Sequence, residues 1–445
     1  MRIELLYGRG GMALDVPADV EATVIRKAPL PVPPDETAVV EEALAAPVDA
    51  PPLEESARGA RSACILICDI TRPVPNGLFL RPLIERLTAA GVPAEAITVL
   101  IATGLHRPNE GEELAELVGD PWVLEQVAVE NHFALDDAAH VMLGETPGHG
   151  VPVGLDRRFV DADIRIATGL VEPHFMAGWS GGRKVIAPGV AHHTTIRTFH
   201  SARFMEHERA TSCNLDGNPL HEAQLEILAM LEARSGGGAA PIYGLNTVID
   251  EERRLVHCTF GAIRESHAAA VRFVESAIAV GVPRRFRTVV TSAAGYPLDR
   301  TYYQTVKGMV TPLDVLEPGG TLVIVSECGE GIGSEHFRAA QERLVALGPD
   351  AFLDTLTAKS LADIDEWQTE MQLKPMRAGR IVLVSPDMGP ADRAVTGVDW
   401  APDLPTALDE ALAGEPERAI AVIPEGPYVV PFHRPGAAAG EASAA

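Results

Sequence analysis

The sequence lacks the patterns of several common functional classes. Its five cysteines, an odd number, are scattered over 445 residues, and no two of them form a CxxC pair. A thiolate zinc site or a disulfide framework is therefore not expected. Positive charge is scarce, with 37 Lys and Arg against 62 Asp and Glu, which gives a net charge of −25. This balance argues against a nucleic-acid partner, because phosphate binding needs basic surface.

Long hydrophobic runs are missing as well. No stretch approaches 18 apolar residues, and the opening MRIELLYGRGG contains no apolar segment of a signal peptide. We therefore predict a cytoplasmic protein with reduced cysteines and no membrane partner. The length suits two or three domains, and a hydrophobic content of 46% is ample for their cores.

Apolar runs alternate with helical segments in both halves of the chain. Buried strands are predicted at 62–68, 97–102, 163–168, 287–292, 320–325, 380–384 and 418–423. This alternation is typical of α/β domains with parallel sheets. Gly281 to Arg285 has the character of a junction, so we predict an N-terminal domain over 1–280 and a C-terminal domain over 285–434. Residues 435–445 form a low-complexity tail that we expect to be disordered.

Three of the predicted strands end in polar loops, DITRP, TGLHRPN and GLVEPHF. Ligands bind at the carboxyl ends of the strands in open parallel sheets. We therefore expect Asp69, Arg72, His106 and His174 at one sheet edge. Asp69 and Arg72 could form a structural ion pair, or Arg72 could bind a carboxylate while Asp69 holds it.

Histidine, glycine and lysine are concentrated between Asp163 and His200. Nine of the 14 histidines fall between residues 106 and 207. Gly181 and Gly182 precede Arg183 and Lys184, but the residues that flank Lys184 do not fit a P-loop, and no GxGxxG is present. Lys184 could be a phosphate ligand, a covalent cofactor anchor or a solvated charge.

The C-terminal half contains one further group, YYQTVKG. On a helix, Tyr303 and Lys307 are four residues apart and face the same way, with Gln304 beside them. An ordinary amphipathic helix explains this pattern equally well, and Trp367 by itself would be a partly buried packing residue.

Taken in order, these stretches resemble the lactate racemase family, the enzymes that use a nickel-pincer nucleotide. The resemblance extends to about residue 430. Its motifs are DITRP (69–73), TGLHRPN (103–109), EPHFMAGWSGGRK (172–184), the TIRTFH segment that ends at His200, YYQTVKG (302–308) and Trp367.

The resemblance implies two α/β domains of the three-layer type with the active site in the cleft between them. It also implies a pyridinium-3-thioamide-5-thiocarboxylic acid mononucleotide that holds nickel between two sulfur-containing arms. Lys184 would carry this cofactor covalently and His200 would be the metal ligand, with Gly181, Gly182 and Arg183 binding the cofactor.

The implied enzyme is an isomerase, a racemase or epimerase acting at C2 of a 2-hydroxy acid by reversible hydride transfer. His106 and His174 would be opposed catalytic acid/bases. Substrate binding would fall to Asp69, Arg72, Tyr303, Gln304, Lys307 and Trp367. Phe175, Met176, Tyr296 and Tyr302 are candidates for the contact with the substrate side chain.

Other readings stay open at this point. The substrate could be lactate or a sugar acid such as an aldonate, and the chain could be a homologue that binds a metal or an anion without racemising anything. A lysine Schiff-base enzyme built on Lys184 is a third reading. The expected partners are the small substrate and the proteins that synthesise the cofactor.

Overall fold

The computed structural model describes residues 1–236 and 240–436 and divides into two compact units. The N-terminal unit comprises residues 29–200 and 207–275, and the C-terminal unit comprises residues 1–28, 201–206 and the chain from 276. Most of the tail predicted over 435–445 lies outside the described residues, which end at 436. No helix among the described residues is long and apolar enough to cross a membrane.

The first 28 residues form a hairpin and one further strand. These elements are β1 (Arg2–Tyr7), β2 (Gly10–Asp15) and β3 (Glu21–Val24).

The N-terminal unit is a mixture of strands and helices. Its strands are β4 (Ala63–Cys68), β5 (Ile97–Ala102), β6 (Ala128–Asn131), β7 (His140–Glu145), β8 (Pro152–Asp156), β9 (Ile164–Leu170), β10 (Pro173–His174), β11 (Gly178–Trp179), β12 (Ile242–Ile249) and β13 (Leu255–Ala262). The helices that begin between residues 29 and 275 are α1 (Glu36–Ala45), α2 (Leu53–Ser56), α3 (Asn76–Ala89), α4 (Gly111–Val118), α5 (Pro121–Gln126), α6 (Arg157–Val160), α7 (Arg183–Ile186), α8 (His193–Phe199), α9 (Ala202–Met205), α10 (Pro219–Ser235) and α11 (Ile263–Ile278). Of these, α9 belongs to the C-terminal unit.

Six of these strands form one sheet in the order β13-β12-β9-β4-β5-β6, with only the β12–β13 pair antiparallel. The strands β4 and β9 have buried side chains along almost their whole length. A strand covered on both faces reads as a continuous apolar run, which is why ACILIC and ITVLIA could be recognised as strands. The sheet confirms the predicted strands at 62–68, 97–102 and 163–168.

The C-terminal unit contains the remaining elements. Its strands are β14 (Ala279–Val282), β15 (Phe286–Ser292), β16 (Leu316–Val325), β17 (Gly379–Val384), β18 (Asp399–Ala401), β19 (Ala419–Ile423) and β20 (Val430–His433). Its helices are α12 (Tyr302–Val310), α13 (Glu335–Leu347), α14 (Pro349–Thr357), α15 (Glu366–Ala378), α16 (Pro390–Arg393) and α17 (Leu404–Leu412).

The sheet of the C-terminal unit is parallel throughout, in the order β18-β17-β16-β15-β19-β3. The α/β class is thus confirmed in both units. The structure differs from the predicted domain of residues 1–280 at its start, because β3 pairs with β19 as an edge strand of the C-terminal sheet. Leu5 and Leu14 of the hairpin also lie in the core formed by this sheet and α17.

Leu5→Ala tests whether the N-terminal hairpin is part of the C-terminal core. Leu5 is fully buried, so its truncation should lower the free energy of unfolding by about 2–5 kcal/mol. Glu4→Ala, which removes an exposed side chain next to it, should change that free energy by less than about 0.5 kcal/mol. Denaturant titration measures both values. Equal stability of the two variants would show that the hairpin adds nothing to the core.

Candidate active site

Three neighbouring strands bring their carboxyl ends to one edge of the N-terminal sheet. Strand β4 lies between β5 and β9 and runs parallel to both, with Cys68 opposite Ala102 and Leu66 opposite Ala167. The loops that follow these strands therefore leave the sheet on the same side. The edge predicted from the three polar loops is confirmed for Asp69 and His106, whose side chains are in contact.

Asp69 and His106 form a short hydrogen bond. The Nδ1 of His106 lies 2.6 Å from the Oδ2 of Asp69, and the hydroxyl of Thr71 donates to Oδ1 over 2.6 Å. Burial acts to raise the pKa of Asp69, but the bonds from His106 and Thr71 and the charge of Arg72 outweigh it and hold that pKa below its usual range. A carboxylate accepts, so the hydrogen of neutral His106 sits on Nδ1 and the lone pair of Nε2 is available. The His106 side chain is 57% exposed and open to a ligand.

His174 lies on a two-residue strand and has the opposite arrangement. Its Nδ1 accepts from the backbone N–H groups of Met176 and Ala177, at 3.4 and 3.2 Å. A neutral imidazole that accepts at Nδ1 carries its hydrogen on Nε2. The ring of Phe175 stacks on it with centroids 4.8 Å apart. His174 is thereby presented as a donor from Nε2.

The glycine-rich turn is packed against the protein itself. A side chain at Gly181 would meet Val171 and Asn246, and one at Gly182 would meet the ring of His267. Both glycines also have positive φ, 78° and 48°, which a residue with a Cβ adopts only at a cost. The packing and backbone shape of the turn are enough to explain why both residues are glycine. Direct contacts of Gly181 and Gly182 with a cofactor stay predictions.

Arg183 points into the interior. Its guanidinium donates to the carbonyls of Ala177 and Trp179, at 3.2 and 3.3 Å, and lies 2.9 Å from the Nε2 of His267. Burial lowers its pKa to about 9. Ala177 belongs to the turn that carries His174, and Arg183 adjoins Lys184. The Arg183 side chain therefore links the two segments that carry His174 and Lys184. Its predicted binding of a cofactor stays a prediction.

Lys184 sits on the short helix α7 with unusual electrostatics. Burial, followed by the charge of Arg72, lowers the pKa of its ammonium from 10.5 to about 8. A substantial fraction of this lysine is therefore neutral near pH 8, with a lone pair that can act as a nucleophile.

His200 follows the last residue of α8 and is also held neutral. Its Nδ1 donates to the carbonyl of Ile196 over 2.8 Å, which leaves the lone pair on Nε2. Burial, together with the charges of Lys184 and His106, lowers its pKa to about 4, although the bond to Ile196 acts in the other direction. A neutral imidazole with one nitrogen fixed by a carbonyl is the usual form of a metal ligand.

The remaining predicted residues divide between the two units. In the N-terminal unit, Arg72 forms an ion pair with Glu172, with Nε 3.9 Å from Oε1. In the C-terminal unit, the indole nitrogen of Trp367 donates to the hydroxyl of Tyr303 over 3.2 Å. The Oε1 of Gln304 is buried and has no hydrogen-bond partner among the described residues. Lys307 lies on α12, as expected, with Tyr303 four residues before it.

The four candidates for the substrate side-chain contact differ in exposure. Tyr302 is fully buried, and its hydroxyl bonds to Gln372 and the carbonyl of Thr396. Met176 is 3% exposed, whereas Tyr296 is 40% exposed. Tyr302 is therefore a core residue, and Phe175 is placed by its stack on His174.

Sequence reasoning missed Glu172, Asn246 and His267. Glu172 stands in the EPHF motif and could have been noticed as a partner for Arg72. Asn246 lies within β12 and accepts from the N–H of Gly182 over 2.9 Å, and His267 comes from α11. No local signal marks either residue, because only the fold brings it to the glycine-rich turn.

Comparison with known proteins gives matches over nearly the whole chain. Residues 7–212 match the model of the lactate racemase N-terminal domain, and residues 284–430 match that of the lactate racemase C-terminal domain. The chain is 32% identical to the lactate racemase of Lactiplantibacillus plantarum over 399 residues, which is 89% of this chain and 91% of that protein. It is 30% identical to the lactate racemase of Thermoanaerobacterium thermosaccharolyticum over 436 residues, 96% of this chain and 98% of that one.

Solved structures agree with this result. The lactate racemase apoprotein from Thermoanaerobacterium thermosaccharolyticum superimposes with a TM-score of 0.89 at 27% identity, covering 97% of this chain and all of that one. A protein from Thermotoga maritima shares the fold, with a TM-score of 0.62 at 18% identity, covering 92% of this chain and 100% of that one.

The depressed pKa of Lys184 can be tested in protein made without a cofactor. Competitive labelling with an amine-reactive reagent, read by mass spectrometry, should give half-maximal reactivity of Lys184 near pH 8. Arg72→Met removes a charge that lowers this pKa and should move the midpoint up. Glu172→Gln removes a charge that raises it and should move the midpoint down. A midpoint near 10.5 that neither variant moves would contradict the electrostatics described here.

Proposed function

Because the chain belongs to the lactate racemase family, we propose that it is an isomerase that interconverts the enantiomers of lactate or a closely similar 2-hydroxy acid. The observation that carries this proposal is the hydrogen-bonded His106–Asp69 pair at the sheet edge. His200 lies close enough to His106 and to Lys184 for the charges of both to lower its pKa. The names of the relatives favour lactate over a sugar acid as substrate.

The residues at this edge fit the nickel-pincer nucleotide that the family resemblance implies. Lys184 has a partly neutral amine that can form the thioamide link to one arm of the cofactor. His200 has a neutral ring with the lone pair on Nε2, and imidazole is a suitable ligand for Ni(II). The bound group supplies a reversible acceptor for the hydride of C2.

His106 is proposed to remove the hydroxyl proton of one enantiomer through Nε2. The hydrogen on Nδ1 is bonded to Asp69, so a proton arriving at Nε2 gives an imidazolium next to a carboxylate. That carboxylate fixes the ring and compensates the new charge. The arrangement follows the logic of acid/base pairs in which a buried Asp sets the tautomer of a His.

His174 is proposed to serve the other enantiomer, and its starting state differs. Proton uptake through Nε2 requires the hydrogen of the neutral ring to move to Nδ1, which now accepts from two amides. These contacts are long, at 3.2 and 3.4 Å, so a small shift of the turn that follows His174 would release them. Racemisation needs such a second group, because a single base would tend to return the original enantiomer.

The substrate carboxylate is proposed to bind Arg72, with Glu172 and Asp69 as the negative charges that position this guanidinium. Arg is suited to the task because its planar fork matches a carboxylate. Lys307, Tyr303, Gln304 and Trp367 are proposed as further substrate-binding residues. The buried Oε1 of Gln304 has no hydrogen-bond partner among the described residues, so a hydroxyl of the substrate could donate to it. The proposed partners are the proteins that make the cofactor.

Asp69→Asn tests the proposed role of the carboxylate. An amide can donate to Nδ1, which would place the ring hydrogen on Nε2 and remove the base. We expect kcat to fall by about 100-fold or more with a much smaller change in KM. Steady-state kinetics in both directions, with circular dichroism as a check on folding, measure the effect.

Thr71→Val is the matched control. It removes the second hydrogen bond to the same carboxylate and leaves the bond to His106, so kcat should change by less than about tenfold. Comparable losses of kcat in the two variants would refute the special role of the His106 bond.

The proposed activity has a direct test. The full chain, co-expressed with the proteins that make the cofactor, should convert either enantiomer of lactate to the racemate, as measured by chiral chromatography. The active protein should contain nickel and a mass adduct on Lys184. Lys184→Arg keeps the charge but cannot form a thioamide, so it should lack both adduct and activity. Full activity of unmodified, nickel-free protein would overturn the cofactor assignment.

A further inference from the structure

Four histidine rings form a continuous array in the N-terminal unit, and none of them has a role in the proposed reaction. His132 packs edge-on against His140 with centroids 5.1 Å apart, His140 packs edge-on against His192 at 5.0 Å, and His192 lies 4.2 Å from His193. His192 and His193 stood out in the sequence as an adjacent pair, and the active-site assignment leaves them unused.

At one end of this array the geometry points to a second metal site. Asp137, His192 and His193 can each bring one ligand atom to within 4.8 Å of the other two. We propose that these three side chains bind a divalent transition-metal ion of the Zn(II) type. Two imidazoles and one carboxylate are a donor set that such ions accept. This site is separate from His200, because His193 is the first residue of α8 and His200 follows the last, which places them about 10 Å apart along the helix.

The backbone positions of both histidines are fixed by the surrounding loops. The N–H of His192 donates to the carbonyl of Gly154 over 2.9 Å, and the N–H of His193 donates to that of Ala134 over 3.0 Å. A side chain at residue 154 would come within 2.7 Å of the Cβ of His192, so only glycine at this position lets β8 approach His192 this closely. The backbone that carries the two imidazoles is therefore held in place before any ion arrives, which lowers the entropic cost of binding.

His192 also has the second hydrogen-bond partner that a metal-binding imidazole needs. Its Nε2 lies 2.8 Å from Oδ1 of Asp137, and its Nδ1 lies 2.8 Å from the hydroxyl of Thr194. With a metal on Nε2, the ring hydrogen moves to Nδ1 and can be donated to that hydroxyl. Ligating histidines are oriented in this way by an acceptor at the other nitrogen.

An ordinary structural reading explains part of the group. His192 caps α8 by accepting from the N–H of Thr194 at 3.3 Å, and Asp137 could simply be its hydrogen-bond partner. That reading does not explain His193, whose Nδ1 is buried and has no hydrogen-bond partner among the described residues. The buried Nε2 of His140, behind His192, is in the same situation.

Calorimetric titration of the full chain with Zn(II) tests the site. The protein is made without cofactor and carries His200→Ala, so that the proposed nickel ligand cannot contribute. One Zn(II) should bind, and Asp137→Asn or His193→Ala in this background should weaken binding at least about tenfold. His207→Ala removes an exposed histidine and should leave the affinity unchanged.

Asp137→Asn separates the metal site from the structural reading. The Asn oxygen can still accept from His192, so a purely structural pair would survive the change with unaltered folding. Titration with Co(II) adds a spectroscopic readout, since its visible absorption should appear in the His200→Ala protein and be lost with His193→Ala. Failure of the His200→Ala protein to bind Zn(II), or an affinity that neither Asp137→Asn nor His193→Ala lowers, would overturn the proposal. Neither result depends on racemase activity.

Discussion

The parallel pairing of β4 with β5 on one side and with β9 on the other is the constraint on which the candidate site depends. Strands that run in the same direction end at the same edge, so three loops far apart in sequence begin side by side. The contact of Asp69 with His106, 37 residues apart, is the direct consequence. An antiparallel β5 would place His106 at the far end of the sheet, where no adjustment of the loop could return it.

Desolvation then decides which groups at this edge are charged. It lowers the pKa of Lys184 to about 8 and that of His200 to about 4, so the amine is partly neutral near pH 8 and the imidazole is neutral at pH 7. At Asp69 the same effect is outweighed by the hydrogen bonds of His106 and Thr71, so the carboxylate stays ionised. This sheet edge therefore combines a partly neutral amine, a neutral imidazole and a fixed negative charge. These are the three properties that covalent attachment, metal coordination and base catalysis separately require.

Much of this could be predicted from local patterns, and the failures have a common cause. Strands β4 and β5 were found because both of their faces are apolar. Helix α15 has no apolar periodicity to mark it, because its buried face is polar: Glu366 pairs with Arg343 and Lys359, and Gln368 donates to the carbonyl of Tyr303. A count of apolar periodicity cannot register a buried polar side chain that finds its partner only in the fold. The burial of the Arg183 side chain could not be predicted either, because its hydrogen-bond partners are brought to it only by the fold.

The two histidines proposed as acid/bases are held by different kinds of group, and this has a thermodynamic consequence. A carboxylate accepts from Nδ1 of His106, whereas two amide donors face Nδ1 of His174. Enantiomers have equal free energies, so a racemase must have equal kcat/KM in the two directions whatever its residues are. The difference between the histidines can therefore appear only as a compensating split of kcat and KM between the enantiomers. A difference in KM between the two enantiomers, matched by an equal ratio in kcat, would therefore report the different hydrogen bonding of the two imidazoles.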